Sequence, residues 1–422
     1  MLYIYNSLSG KKEKFIPLQD KKVRMYVCGI TPYDTTHLGH AFTYVWFDAL
    51  LRYLKFKGYT VNYTQNVTDI DDDILRKAKE EGKNWRELGD FWTNKFLNEM
   101  KALNVLSPTN YVKATDSIAK IVEIAKLLIY KKVAYEQDGN VYFEIKKFNN
   151  YGKLSRFNIK QMILISKERG GNPDDPLKRN PLDFLLWQRS KKGEPFWESP
   201  WSKGRPGWHI ECSAMINKFL GDQIDVHGGG RDLIYPHHES EIAQSESFNG
   251  KRPFSKYFMH TAMVMYQAEK MSKSLGNLVM IGDLVKKYSS NAIRFVLLSH
   301  HYRMPWEFEE QELKKAELLF KEILKKSFDN VTRRKHVEAI SKLPVILGSE
   351  ATPESAGDAG QASMTVLRWA IDKTILKSFK DCMNDDLNIP VALQSFPKLL
   401  KSDDVYTLLY IMRIIGFKAY NE

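Results

Sequence analysis

Four side chains of the types that bind soft divalent metals are spread over the first 241 residues. Cys28, Cys212, His237 and Glu241 offer two thiols, an imidazole and a carboxylate, all of which are suitable zinc ligands. They lack the short Cys-x-x-Cys spacing of many structural zinc sites, and only His237 and Glu241, four residues apart on a predicted helix, must share a face. Taken alone, each cysteine is better explained as a small buried apolar residue, and Cys382 keeps that interpretation.

The tetrapeptide His37-Leu38-Gly39-His40 lies where a helix is expected to begin after a strand. A helix N-terminus offers free N–H groups and the positive end of a dipole to phosphate, and Gly39 lets a phosphate approach the backbone. Two imidazoles three residues apart can reach phosphates from one helix face. By itself, however, so short a pattern is equally consistent with two ordinary histidines.

The pentapeptide Lys270-Met271-Ser272-Lys273-Ser274 is more specific. Two lysines on a Ser/Gly-rich loop can place ammonium groups on a leaving pyrophosphate, and Gly276 favours a flexible loop. The alternative is a solvated basic turn, which the full five-residue match makes a poor explanation. Further upstream, the glycine triplet 228–230 and Asp232 form a backbone-approach site with a carboxylate for ribose hydroxyls, although such a triplet is also typical of an ordinary turn.

Strand–turn–helix elements must position these residues. The apolar run 23–27 predicts a buried strand ending at Cys28, and a helix is expected from about His37 to Lys55, which is how a doubly wound nucleotide fold begins. A strand at 224–227 and a helix at about 236–248 are expected in its second half. The remaining predictions are a strand at 59–63, a helix over 71–103, a hairpin at 133–145 turning at Asp138-Gly139, an irregular stretch to 202, helices after 278, and a mobile loop at 344–364.

Bulk properties narrow the class of protein. A chain of 422 residues predicts two to four domains, and the net charge of +12 favours an anionic partner such as nucleic acid or ATP. The excess of lysine over arginine weakens that inference, because a lysine-rich proteome would give the same charge. Three cysteines argue against a disulfide framework, and the lack of a leader or a long apolar run predicts a soluble cytoplasmic protein with no membrane contact.

Together, these residues resemble the cysteinyl-tRNA synthetase family over nearly the whole chain. The matching stretches are residues 28–34 leading into His37–His40, 66–71, 204–212, 227–230 with 237–241, 270–274, and the helical-bundle signature 383–388.

The resemblance implies an α/β Rossmann-type doubly wound catalytic domain with an insertion, followed by an all-α helical bundle. The expected boundaries are 1–115 and 216–265 for the two catalytic halves, 116–215 for the insertion, 266–315 for the mobile-loop and stem-contact region, and 316–422 for the bundle. Family members usually continue into an anticodon-binding domain, so that region is expected to be short or truncated here.

The resemblance also assigns residue roles. One zinc ion per chain would be held by Cys28, Cys212, His237 and Glu241, and the cysteine pocket would be lined by Gly29, Thr68, Trp208 and His237. The ATP phosphates would be stabilised by His37, His40, Lys270 and Lys273. The adenosine of ATP would lie beside His227, Gly230 and Asp232.

The implied activity is that of a cysteine–tRNA ligase. L-Cysteine would be activated by ATP, accompanied by Mg²⁺, to cysteinyl-adenylate and transferred to tRNA(Cys) by a monomeric enzyme, with zinc selecting the substrate thiolate. Two alternatives stay open. A cysteine–amino-sugar ligase of the mycothiol pathway shares this chemistry and lacks an anticodon domain, and a non-catalytic synthetase-like RNA-binding protein would be expected to lose the motif residues that this chain keeps.

Overall fold

The computed structural model describes residues 1–34, 36–271, 276–328, 371–402 and 404–418. Its strands are β1 Tyr3–Asn6, β2 Lys11–Lys14, β3 Lys22–Ile30, β4 Thr60–Val67, β5 Asn110–Lys113, β6 Ala134–Gln137, β7 Asn140–Phe143, β8 Phe184–Arg189, β9 Gly204–Pro206, β10 Ile224–Gly230, β11 Ser255–Thr261, β12 Val264–Tyr266, β13 Glu269–Lys270 and β14 Trp306–Glu307.

The helices of the described residues follow in chain order. They are α1 Leu38–Phe56, α2 Asp72–Glu80, α3 Trp85–Ala102, α4 Ile118–Tyr130, α5 Ile159–Glu168, α6 Trp208–Leu220, α7 His237–Asn249, α8 Ile281–Lys287, α9 Ser290–Ser299, α10 Glu310–Phe328, α11 Lys373–Asn384, α12 Ile389–Leu393, α13 Phe396–Lys401 and α14 Val405–Ile414.

The central sheet has five parallel strands in the order β11-β10-β3-β4-β5. From β3 the chain moves outward through β4 and β5, and the second half starts on the other side with β10 and β11. The strand order therefore reverses between β3 and β10, whose registers pair His227 with Tyr26. In open α/β sheets, ligands bind at the carboxyl ends of the strands beside such a reversal. This topology confirms the predicted doubly wound fold.

Helix α1 is the central helix of the larger apolar core. Almost every residue from Ala41 to Phe56 is buried, because the helix packs on the sheet and also against α9 and α14 of the helical region. The indole of Trp46 donates a hydrogen bond to the carbonyl of Leu297 on α9 (3.2 Å). Asp48 of α1 accepts hydrogen bonds from Arg52 of the same helix (2.9 Å) and from Arg294 of α9 (2.6 Å). A buried ionic cluster therefore lies where α1 packs against the helical region.

A separate four-stranded antiparallel sheet, β6-β7-β8-β9, lies within the expected insertion. Its first hairpin turns at Asp138 and Gly139, both with positive φ (52° and 77°), as a two-residue turn between twisted strands requires. The prediction of an irregular stretch up to residue 202 is wrong, since it contains α5 and β8. Only Met162 of α5 is buried, although Ile159, Met162 and Ile163 have the spacing of one helix face.

Other predicted elements differ in detail. The expected single helix over 71–103 is two helices, α2 and α3, interrupted at Glu81–Asn84. Glycines 228–230 continue β10 instead of forming a turn, and β14 interrupts the helical region after 278. The predicted mobile loop at 344–364 lies outside the described residues, and the domain boundaries stay a prediction. Across the described ranges, no helix is long and apolar enough to cross a membrane.

Candidate metal and nucleotide site

The four metal-type side chains meet at the strand reversal. Cys28 lies near the carboxyl end of β3, Cys212 in the second turn of α6, and His237 and Glu241 one turn apart at the start of α7. Their ligand atoms all lie within 4.8 Å of one another, and all four side chains are buried. The structure thus brings together residues from three distant segments, including the pair that helical spacing had already placed on one face.

The separations within this metal cluster are short and regular. The Nε2 atom of His237 is 3.4 Å from the sulfur of Cys212 and 3.1 Å from Oε1 of Glu241. The sulfur of Cys28 is 3.9 Å from the same carboxylate oxygen. Zinc bonds of about 2.0–2.3 Å in a tetrahedron would place ligand atoms about 3.3–3.8 Å apart. The geometry of the cluster therefore fits a tetrahedral zinc ion.

Electrostatics point the same way. Burial raises the pKa of Cys28 well above its ordinary value, and the Cys212 sulfur and Glu241 raise it further. Burial opposes ionisation of Cys212 as well, but the hydrogen bond with Cys28 and the His237 cation lower its pKa to about 6. Burial would lower the pKa of His237, whereas Cys212 and Glu241 raise it to about 10. Without a metal ion, the surroundings of Cys28 therefore favour its thiol form, and those of Cys212 favour its thiolate form.

A second set of histidines surrounds the metal cluster. His227 and His238 form an overlapping group with Cys28 and Glu241 that could also hold an ion. Here the contacts have hydrogen-bond lengths: His227 Nε2 to Oε2 of Glu241 is 2.9 Å, and His238 Nε2 to the sulfur of Cys28 is 3.3 Å. Glu241 thus has one oxygen towards His237 and the other towards His227. This division is typical of a ligand oriented by outer hydrogen-bond donors.

The residues expected to line a cysteine pocket lie beside the cluster. The ring of Trp208 stacks on His237 with a centroid separation of 4.4 Å. The amide of Gly29 donates to the side-chain oxygen of Asn66 (2.8 Å), and a Cβ on Gly29 would come within 1.5 Å of the Asn66 carbonyl oxygen. The Asn66 side chain also donates to the hydroxyl of Thr68 (3.2 Å). Gly29 is therefore required by the close approach of β3 and β4, independently of any ligand.

The first of the two motifs expected to bind nucleotide lies at the start of α1. His37 is the N-cap of α1, with Nδ1 accepting from the amide of Gly39 (3.1 Å), and its ring stacks on His40 at 3.8 Å. The amide of Leu38 donates to the carbonyl of Val279 at 2.8 Å. His37 precedes the helix as its N-cap, and its ring lies against that of His40 in the first turn.

The lysine motif is only partly described. The backbone of Lys270 lies in β13, paired with Met265 of β12, and Met271 is buried. Lys273 lies outside the described residues. A β-bridge between His37 and Met280 joins the segment after the motif to the start of α1. The structure thus holds the segment that follows the motif against the start of α1 by backbone hydrogen bonds.

The residues expected near adenosine are divided between two environments. His227 is fully buried and bonded to Glu241, so its imidazole belongs to the shell of the metal cluster. Gly230 ends β10 at the sheet edge, and Asp232 in the following turn forms an ion pair with Arg169 of the insertion (3.2 Å). Gly230 and Asp232 thus lie at and just after the carboxyl end of β10, outside the hydrogen bonds of the metal cluster.

Sequence reasoning missed the inner histidines. No role was assigned to His238 or His260, which are hydrogen-bonded to each other at 2.8 Å behind the cluster. Tyr26 was missed too, although it precedes Cys28 by two residues and so lies on the same face of β3. That period of two was the one signal available in the sequence. The link from His238 to His260 spans 22 residues and has no local pattern.

Comparison with known proteins identifies the family. The family model described as the class I (C) tRNA synthetase catalytic domain matches residues 14–318. A curated cysteine–tRNA ligase from Geotalea uraniireducens is 44% identical over 397 residues, covering 93% of this chain and 76% of that protein. Another, from Dehalococcoides mccartyi, is 51% identical over 314 residues, covering 74% of this chain and 68% of that protein.

Solved structures show the fold. A methionyl-tRNA synthetase from Mycobacterium tuberculosis aligns with a TM-score of 0.62 at 15% identity, over 93% of this chain and 89% of that chain. A leucyl enzyme, LeuRS, from Agrobacterium radiobacter K84 aligns with a TM-score of 0.59 at 10% identity, over 95% and 84%. At such identities only the architecture is shared, which confirms the Rossmann-type catalytic domain with its helical C-terminal part. From its sequence relatives, the chain belongs to the cysteinyl-tRNA synthetase family, the cysteine–tRNA ligases among the class I aminoacyl-tRNA synthetases.

Proposed function

We propose that this protein activates L-cysteine with ATP and transfers it to tRNA(Cys), using a bound zinc ion to select the substrate thiol. The observation that carries the proposal is the position of the metal cluster at the strand reversal, which is where open α/β sheets bind their ligands. Cys28 lies on the strand that leads directly into His37 and His40. A thiol-selective metal site and a phosphate-binding helix terminus are therefore neighbours on consecutive elements.

Cys28, Cys212, His237 and Glu241 would hold the zinc ion. Their donor types, burial and 3.1–3.9 Å separations fit it. Bound there, zinc would take the substrate sulfur as a ligand additional to these four and would lower its pKa. Serine has a hydroxyl oxygen in place of the sulfur, and oxygen is a harder, poorer zinc ligand. A site built to bind one polar group of its substrate can reject an analogue that lacks this group by about 10⁴-fold or more.

The stacked His37 and His40 rings and the N-terminus of α1 would bind the ATP phosphates, together with Mg²⁺ and the lysines of the second motif. The backbone bond from Leu38 to Val279 supports this arrangement, because it holds the segment after the lysines against the helix terminus. Positioning and charge stabilisation by these groups account for the rate without a protein acid or base. Gly230 and Asp232 would lie beside the ribose.

The pocket walls would orient the amino acid. Trp208, stacked on His237, would form one side, and Gly29 with Thr68 would form the floor where β3 and β4 end. Both Gly29 and Thr68 are linked to Asn66, so a single amide side chain fixes the floor. These two hydrogen bonds would hold the floor of the pocket in place.

Cysteine-dependent ATP–pyrophosphate exchange tests the proposal. Exchange should occur with cysteine and not with serine, should be lost after zinc chelation, and should return on adding zinc. An acceptor assay with tRNA(Cys) and an amino sugar then separates tRNA ligation from the alternative ligase. Absence of exchange in protein loaded with zinc would refute the catalytic proposal, and transfer to the sugar alone would refute the acceptor.

A further inference from the structure

A continuous line of hydrogen bonds runs from the metal cluster to the N-terminal turn. The sulfur of Cys28 is 3.3 Å from Nε2 of His238, whose Nδ1 is 2.8 Å from Nε2 of His260. The Nδ1 of His260 is in turn 2.8 Å from the hydroxyl of Ser7, in the turn between β1 and β2. Each imidazole uses both ring nitrogens, so the line has no branch within the rings.

Chemistry fixes the direction of every bond in this line. A thiolate only accepts, so His238 must donate from Nε2 when Cys28 serves as a metal ligand. A neutral imidazole carries one N–H, so Nδ1 of His238 must accept from Nε2 of His260, and the hydroxyl of Ser7 must donate to His260. The 2.8 Å contact between Nδ1 of His238 and Nε2 of His260 itself requires that one of these two nitrogens carries no proton, so the two rings cannot both be fully protonated.

We propose that His260 and Ser7 are positioning residues for the metal site: they fix His238 in the tautomer that donates to Cys28. This inference rests on the proposed zinc site and adds residues from β11 and from the N-terminal turn to it. In metal proteins, hydrogen bonds to ligand atoms fix tautomers and tune the charge on the ligand. The two thiolates are then unequal, since among the described contacts the imidazole of His238 approaches Cys28 and not Cys212.

The hydroxyl of Ser7 is positioned by a turn that does not depend on it. The amide of Ser7 donates to the carbonyl of Phe258 (2.8 Å), and the side-chain oxygen of Asn6 accepts from Leu8 and Phe258 (3.1 Å each). The same turn carries Ser9, which is exposed and bonds only to the carbonyl of Asn6 in the described contacts. Removal of either hydroxyl therefore leaves the turn intact, and Ser9 is a matched control.

The experiment compares variants that keep or lose the donor to His238. In His260→Gln, the amide nitrogen can replace Nε2, whereas His260→Leu fills similar space without a donor. We expect His260→Leu to weaken zinc binding about tenfold, His260→Gln to stay within about threefold of the wild type, and Ser7→Ala to weaken binding more than Ser9→Ala. Zinc affinity would be measured by chelator competition.

Cobalt substitution supplies a second readout that packing alone does not move. The thiolate-to-cobalt absorption band should shift in His260→Leu and return towards the wild-type position in His260→Gln. Equal affinities and equal spectra for these two variants, with Ser7→Ala matching Ser9→Ala, would overturn the inference while leaving the zinc site in place. Failure of the wild-type protein to bind zinc or cobalt would overturn the proposed function and this inference with it.

Discussion

Glu241 and Glu239 allow a sharp test of the metal cluster, because the same substitution on one helix should have two different outcomes. Both carboxylates are fully buried on α7. Glu241 contacts His237 (3.1 Å) and His227 (2.9 Å). Glu239 faces the insertion and accepts backbone hydrogen bonds from Leu154 (3.4 Å) and Ser155 (2.8 Å). Glutamine at either position keeps the size and removes the charge.

The magnitude follows from what each carboxylate contacts. Glu241→Gln leaves a buried cation with one fewer anionic ligand, and breaking a buried charge pair costs about 3–5 kcal/mol. At 1.4 kcal/mol for each factor of ten, zinc affinity should fall by roughly one hundredfold to a few thousandfold. Glu239→Gln weakens the hydrogen bonds that two backbone amides donate to the Glu239 carboxylate, so the free energy of unfolding should fall by about 1–2 kcal/mol. The zinc affinity should be nearly unchanged.

Two assays separate the outcomes. Chelator competition gives the zinc affinity, and urea unfolding of the zinc-free proteins gives stability without the metal. Zinc-free Glu241→Gln should also unfold more easily than the zinc-free wild type, because the buried His237 loses its carboxylate partner, so the zinc affinity is the readout that separates the two variants. Wild-type zinc affinity in Glu241→Gln would refute the ligand assignment. An equal loss in both variants would show that α7 as a whole, and not Glu241, controls binding.

Three further predictions follow from particular contacts. Zinc binding at pH 8 should release about two protons, one from Cys28 and one from His237. The number should rise towards three below pH 6, where Cys212 is also protonated before zinc binds. Calorimetry in buffers of different ionisation enthalpy counts the released protons, and no release would contradict the ligand assignment. Gly29→Ala should lower the free energy of unfolding in urea by about 3 kcal/mol, whereas Gly89→Ala on α3, with space for a methyl group, should not. Asp48→Asn should cost about 3–5 kcal/mol in the same assay, because two buried arginines lose their partner; a change below 1 kcal/mol would contradict that role.

The sequence predicts the parts of the site that have local patterns. The strand ending at Cys28 and the helix after His37 follow from a short apolar run and a turn, and the structure has both within a few residues. Helical spacing likewise pairs His237 with Glu241. The approach of Cys212 to that pair cannot be predicted from residue periodicity, because it depends on how the insertion returns α6 to the sheet.

Buried polar contacts were the least predictable features. His227 was expected beside the adenosine, yet its hydrogen bond to Glu241 places it behind the metal cluster. The position of His227 in the sequence could not distinguish a place beside adenosine from a place beside the metal cluster, because both would lie at the carboxyl end of β10. The Asp48–Arg294 pair spans 246 residues and similarly has no local signal. The partners in these buried contacts are far apart in the sequence, whereas the partners in the contacts that could be predicted, such as His237 and Glu241, are only a few residues apart.

The metal cluster also links the two halves of the catalytic domain. Cys28 comes from β3 before the expected insertion, His237 and Glu241 from α7 after it, and Cys212 from α6 at its C-terminal end. A ligand set of this kind forms only when all these segments are docked, so metal binding must favour the assembled domain. An ion present at 100 times its dissociation constant would add about 2.7 kcal/mol to stability. On the proposed function, the same four side chains would serve both selection of the substrate and assembly of the nucleotide fold.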